Sequence, residues 1–170
     1  MDFKRLWLHT SWRLRPNPYR QHFSKSNRKK LSLCVRDAEQ GHRGEIRLVV
    51  ESQLPLTLIL NKVNARSRAC DWFSQLSIWD TEENSGILIY ILLAERKIEI
   101  LADRGIAANV APDEWEQTVK QLRQELAAEH VVEGLCRCLH QCGDLLRLHF
   151  PIDAQADNPD ELSNELVFIA

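Results

Sequence analysis

Apolar residues recur along this chain with two periods, and the switches between them predict the order of its elements. Leu31, Cys34, Val35 and Ala38 share one helical face, and Gly41 stands where a helix would end. In the segment 45–51, Ile46, Leu48 and Val50 alternate with Arg47 and Glu51, the period of a strand with one face more buried than the other. Asn64 is placed to cap a second helix that carries Ala65, Ala69, Trp72, Phe73 and Leu76 on one side. The run 87–93 is apolar on both faces, as in a central strand. Glu95 and Arg96 form a short turn, and Ile98, Ile100 and Ala102 mark a returning strand over 97–103 that ends at Gly105.

Two more helices follow. One starts near Pro112, with Asp113 and Glu114 at its positive end, and buries Trp115, Val119, Leu122 and Leu126. The other sets Val132, Leu135, Leu139, Cys142 and Leu146 on one stripe and closes at Pro151. Strands 45–51 and 87–93, joined through a helix, are expected to be parallel with a right-handed crossover, and strand 97–103 antiparallel. The predicted fold class is α/β: a three-layer α/β/α sandwich with a small mixed sheet. The predicted organisation is a basic N-terminal arm over 1–30, the domain over 31–151 and a C-terminal tail over 152–170, whose Leu162, Leu166, Val167 and Phe168 are available to dock on the domain.

Charge changes this picture at the N-terminus. Residues 1–30 hold nine Lys or Arg against Asp2 alone, whereas the other 140 residues hold 13 basic and 23 acidic ones. A basic arm on an acidic body does not have the uniform basic surface of a nucleic-acid-binding domain, so no nucleic-acid partner is expected. Trp7 and Trp12 interleaved with Arg13 and Arg15 suit the headgroup region of an anionic membrane, or a membrane protein, as partner; the alternative is an extension that folds onto the acidic body and neutralises it. The longest apolar run, 86–94, falls far short of the roughly 20 residues that span a bilayer. Leu6-Trp7-Leu8 is too short for the apolar region of an export signal. The expectation is therefore a cytoplasmic protein, peripheral to the inner membrane, with its five cysteines as reduced thiols.

Strand direction gathers candidate chemistry at one end of the sheet. Glu45 begins the first strand, Asp80, Glu82, Glu83 and Asn84 precede the second, and Asp103 and Arg104 end the antiparallel third. Asp80, Asn84 and Asp103 offer the oxygen donors that Ca²⁺ or Mg²⁺ prefers, with Glu45, Glu82 and Arg104 around them. The opposite edge, where open α/β sheets usually bind ligands, would hold Glu51, Ser52 and Glu95. Arg104, lying where the acidic residues converge, is a candidate internal cation in place of a metal. Cys136, Cys138, His140 and Cys142 crowd together in sequence, but on one helix they point to different faces and lack the four convergent ligands of a zinc site. No Gly-rich phosphate loop, G-x-S-x-G or H-E-x-x-H motif occurs.

Four blocks carry a family resemblance: 42–47 (HRGEIR), 84–90 (NSGILIY), 96–100 (RKIEI) and 102–106 (ADRGI). Their order and spacing over about residues 30–151 resemble the TPM domain family, and Asp160–Glu165 resembles the tail of its bacterial cytosolic members. The resemblance implies an α/β/α sandwich, frequently with a divalent metal in a small groove. It also implies phosphatase activity in some members and assembly or repair roles in others. Family members often carry Asp-Asn-Gly before the second strand and Gly-Leu-Glu after the third. This chain has Asn84-Ser85-Gly86 and Gly105-Ile106-Ala107, so two carboxylates become an amide and a methyl group. A site with less negative charge binds calcium less tightly. The functional expectation is a TPM-like binding or assembly module without a complete catalytic motif. The alternative is a metal-dependent phosphatase acting on phosphate monoesters.

Overall fold

The computed structural model describes residues 3–14, 20–152 and 162–170. Its elements run α1 (Phe3–Leu14), a 3-10 turn (Arg20–Phe23), α2 (Lys25–Ala38), β1 (Ile46–Glu51), α3 (Leu56–Leu60), α4 (Ala65–Gln75), β2 (Ile87–Leu92), β3 (Lys97–Ala102), α5 (Arg104–Asn109), α6 (Pro112–Ala127), α7 (Val131–His149) and β4 (Val167–Ile169). The sheet order is β3-β2-β1-β4. β1 and β2 are parallel from Ile46 opposite Ile87 to Glu51 opposite Leu92, and β3 returns antiparallel with Ile87 opposite Ala102. β4 lies parallel to β1, pairing Val49 with Val167.

Every residue of β1 and β2 is buried because helices cover both faces. On one side, Ile46, Leu48, Val50, Ile87, Ile89 and Ile91 meet Leu31 and Val35 of α2, Leu122 of α6 and the stripe of α7. On the other, Val49, Leu88, Tyr90 and Leu92 meet Leu6 of α1, Ile59 of α3 and Ala65 and Ala69 of α4. The expected three-layer sandwich is the observed fold.

Local chemistry explains the boundaries. Ser24 caps α2 by accepting from the Asn27 N–H at 3.3 Å, so this helix begins six residues earlier than its apolar stripe and absorbs part of the predicted arm. Asn64 caps α4 as predicted, accepting from the Ser67 N–H at 2.8 Å. Three short elements were not expected from periodicity. α3 and α5 each bury a single side chain, Ile59 and Ile106, and β4 adds only three residues to the edge of β1. Pro16, Pro18 and the stretch 153–161 lie outside the described residues.

α2 and α7 pack closely. A Cβ on Gly143 would lie 2.4 Å from the Ala38 carbonyl oxygen, so only glycine permits this approach. His42 and Arg147 finish the end of α2: His42 Nε2 donates to the Ala38 oxygen at 2.7 Å and accepts at Nδ1 from the Gly44 N–H at 3.1 Å. Arg147 donates to the carbonyls of Ala38 and Gln40, both at 3.0 Å. Burial, more than any neighbouring charge, holds the His42 pKa below its ordinary value.

The same pair of helices carries a correction. Cys34 of α2 and Cys136 of α7 form a disulfide with their Cα atoms 5.4 Å apart, where reduced thiols were expected. Residues 102 apart in sequence meet only because α2 and α7 pack side by side, which spacing does not reveal. Cys138 and Cys142 remain buried thiols one turn apart. The Cys142 pKa is raised by a hydrogen bond with Cys138 and by burial.

Candidate functional site

Three residues of the predicted acidic end do come together. Asn84 adopts a left-handed backbone with φ of 54°, and its carbonyl oxygen accepts from the N–H groups of Gly105 at 2.9 Å and Ile106 at 3.3 Å. A Cβ at Gly105 would lie 2.3 Å from the Glu83 carbonyl oxygen and 2.6 Å from that of Asn84, so this interlock of two loops requires glycine. Asp103 caps α5, its Oδ1 accepting from the Arg104 N–H at 2.7 Å, while its Oδ2 is buried without a hydrogen-bond partner. The Arg104 guanidinium turns back, and its Nε donates to Asn84 Oδ1 at 2.9 Å.

The rest of the predicted set is not drawn in. Asp80 and Glu82 are exposed and make no side-chain hydrogen bond or ion pair among the described residues. Glu83 instead pairs with Arg43 at 2.8 Å, and Glu45 is buried at the start of β1. Calcium takes six to eight oxygens, whereas magnesium keeps several waters and binds through one or two carboxylates. Here one carboxylate, Asp103, faces one amide oxygen that already serves a guanidinium. Among the described residues, no three His, Cys, Asp or Glu side chains are grouped to hold a metal. This set is poorer in carboxylates than the cage calcium takes.

The carboxyl edge of the sheet holds a denser polar cluster that sequence reasoning named only in passing. Glu51, wholly buried at the end of β1, accepts four hydrogen bonds. Arg68 supplies two, Nε to Oε2 at 2.9 Å and Nη2 to Oε1 at 3.0 Å. Trp72 Nε1 supplies a third at 3.2 Å and the Tyr90 hydroxyl a fourth at 2.9 Å. Arg68 also stacks over the Trp72 ring, 4.8 Å from its centroid. Burial opposes the charge on Arg68, but the hydrogen bonds and charge of Glu51 prevail and raise its pKa. A carboxylate held by three bonds at Oε2 and one at Oε1 is a structural anchor of this edge. The hints in the sequence were Tyr90 within an aliphatic run and Glu51 closing a buried strand.

Tyr90 has a consequence for alkaline stability. Burial first, and then the Glu51 charge, push its pKa far above the usual phenol range. Above pH ~10 the unfolded chain ionises this phenol while the folded chain keeps it neutral, so the unfolded state binds fewer protons. Stability is therefore lost as pH rises, by about 1.4 kcal/mol per unit for this one group. Urea titrations between pH 9 and 11.5 test it: Tyr90→Phe should show a shallower alkaline decline than wild type, and parallel curves would refute the assignment.

α1 covers this edge. His9, on the buried face of α1, donates from Nε2 to Glu95 Oε1 at 2.8 Å and accepts at Nδ1 from the Leu54 N–H at 3.1 Å. Arg5 Nε also donates to Glu95 Oε1, at 2.7 Å. Burial alone would raise the Glu95 pKa, but the hydrogen bonds from His9 and Arg5 hold it below the ordinary value. The chain's own N-terminal helix thus walls the crevice that open α/β sheets use for ligands, leaving a cavity of about 280 Å³ beside Glu51, Gln53 and Ile59.

Of the predicted arm residues, Trp7 is exposed, whereas Trp12 is half-buried and packs against the core. Arg13 lies on α1, and Arg15 lies outside the described residues. Phe3 and Trp7, on the outer face of α1, line a groove with Lys4, Leu6, Thr10 and Leu56 of α3. Among the described residues, no helix is long and apolar enough to cross a membrane.

Comparison with known proteins agrees with this architecture. The family model described as the TPM domain matches residues 17–145, and the chain belongs to that family. A solved relative is the BA42 protein of the psychrophilic bacterium Bizionia argentinensis, determined by NMR. It is 27% identical, with a TM-score of 0.74 over 85% of this chain and 94% of the other. Among curated proteins, no match is found. The matched segment begins inside the basic N-terminal stretch, consistent with part of that stretch forming α2.

Proposed function

We propose that this chain is a non-catalytic TPM binding module that rests on an anionic membrane surface through α1 and α3. The supporting observation is an exposed apolar patch on an otherwise charged protein. Phe3 and Trp7 are 72% and 59% exposed on α1, and Leu56 and Leu60 are 54% and 48% exposed one turn apart on α3. Lys4 lies beside the patch, and the N-terminal 30 residues carry nine basic side chains. Apolar burial at the headgroup boundary combined with attraction to anionic lipid is how interfacial helices bind. Co-sedimentation with phosphatidylglycerol vesicles checks the proposal. The doubly substituted Phe3→Ser/Trp7→Ser chain should partition at least about tenfold less than wild type, since each ring contributes on the order of 1.5–3 kcal/mol when buried. Equal sedimentation of the two chains would sink the reading.

A second proposal concerns the acidic end. The Arg104 guanidinium stands in for a divalent ion, so the metal-dependent phosphatase reading is the weaker one. Its support is the bond from Arg104 Nε to Asn84 Oδ1. Titration with calcium or magnesium to millimolar concentration is expected to leave the amide resonances of Asp80, Asn84 and Asp103 in place. Saturable shifts there, abolished by Asp103→Ala, would restore the metal reading and justify a search for phosphate-ester turnover.

A further inference from the structure

On the face of the sheet away from α1, a cavity of about 250 Å³ opens between the sheet, the end of α6 and the start of α7. Ile91, Leu93 and Ile98 form its floor, and Phe23, Leu126 and Val131 its walls. Two arginines, Arg96 from the β2–β3 turn and Arg123 from α6, also line it, and no acidic residue does. Both arginines are exposed at the rim, and neither makes a side-chain hydrogen bond or ion pair among the described residues. We propose that this cavity binds the acyl chain of a medium-chain fatty acid, with Arg96 and Arg123 holding the carboxylate at its mouth.

Three features carry the assignment. First, the size is right: an apolar cavity of about 150 Å³ takes up benzene, so this one accommodates a longer apolar group. Second, the charge is right. A pocket with apolar walls and a few convergent polar groups is the usual form of a small-molecule site, and arginine pairs bidentately with carboxylate. Third, Arg96 sits at φ of 52°, in the left-handed region that glycine or asparagine occupies at lower cost. That conformation, shared by Lys62, Ser77 and Glu129 at other turns, reverses the chain between β2 and β3 and sets the Arg96 side chain at the rim of the cavity. This site shares no residue with the membrane patch or with the acidic end, so it stands or falls independently of both.

The test uses octanoate, with octan-1-ol as a neutral probe of the same chain length, followed by amide shifts of the whole protein. Octanoate should give saturable shifts at Leu93, Ile98 and Val131 and bind about tenfold or more tightly than the alcohol. Arg96→Gln/Arg123→Gln should reduce octanoate to the alcohol's affinity. Ala127→Trp, at an exposed position on the rim, should exclude both ligands while leaving the fold intact. No saturable shift in wild type, equal affinity for acid and alcohol, or indifference to the arginine substitutions would each overturn the proposal.

Discussion

Replacing Arg68 by methionine is expected to destabilise the fold by about 3–5 kcal/mol, because it strands the Glu51 carboxylate in the interior. Glu51 and Arg68 side chains are only 1% and 13% exposed, so water cannot solvate the abandoned charge. Methionine keeps much of the volume and the contact with Trp72, which separates the electrostatic cost from a simple cavity. The neighbouring hydrogen bonds from Trp72 and Tyr90 remain, but two neutral donors do not balance a buried anion. Substituting both partners, Glu51→Gln with Arg68→Met, should recover a large part of the loss, since an uncharged amide costs less to bury than a carboxylate. Urea unfolding of the two variants decides the matter. If Arg68→Met loses less than about 1 kcal/mol, within the range of a surface ion pair, Glu51 is not the anchor described above.

Reduction of the Cys34–Cys136 bond is expected to have an effect of similar size. A disulfide removes conformational freedom from the unfolded chain, and the loss grows with the length of loop closed. With a sequence separation of 102, the chain-entropy estimate approaches about 4.7 kcal/mol, and measured bonds more often give about 2–4. The midpoint of urea unfolding should therefore fall on adding dithiothreitol, and the same fall should appear without reductant in Cys34→Ser/Cys136→Ser. Thiol titration of the denatured protein provides an independent count. Cys70, Cys138 and Cys142 should react without reductant, and all five cysteines after it. Five reactive thiols from the outset, with stability indifferent to reductant, would return the protein to the fully reduced state expected of a cytoplasmic chain. Either result bears on compartment, because a persistent disulfide belongs to an oxidising environment.

The chain's own pattern determined the layers. Apolar periods of two and of three to four located β1, β2, β3 and the long helices α2, α4, α6 and α7, because each buries a whole face and so writes its geometry into the spacing of its residues. The blocks at 42–47, 84–90, 96–100 and 102–106 were enough to indicate the TPM family, since they are the turns and strand ends on which the sheet is built. Elements that bury one side chain, α3 and α5, left no such record. Nor did β4, whose pairing with β1 depends on a distant strand rather than on its own three residues.

For the candidate sites, strand direction correctly brought Asn84, Asp103 and Arg104 to one corner, because the ends of adjacent strands are neighbours whatever the side chains do. Which side chains turned inward there was decided by tertiary contacts. Asp103 became a helix cap and Arg104 took the amide, while Asp80 and Glu82 stayed in solvent. The Glu51 cluster, the Cys34–Cys136 bond and the cavity beneath Arg96 and Arg123 join residues from separate elements. Local spacing specifies which face of an element is buried. Only the packing of one element on another specifies which buried groups meet.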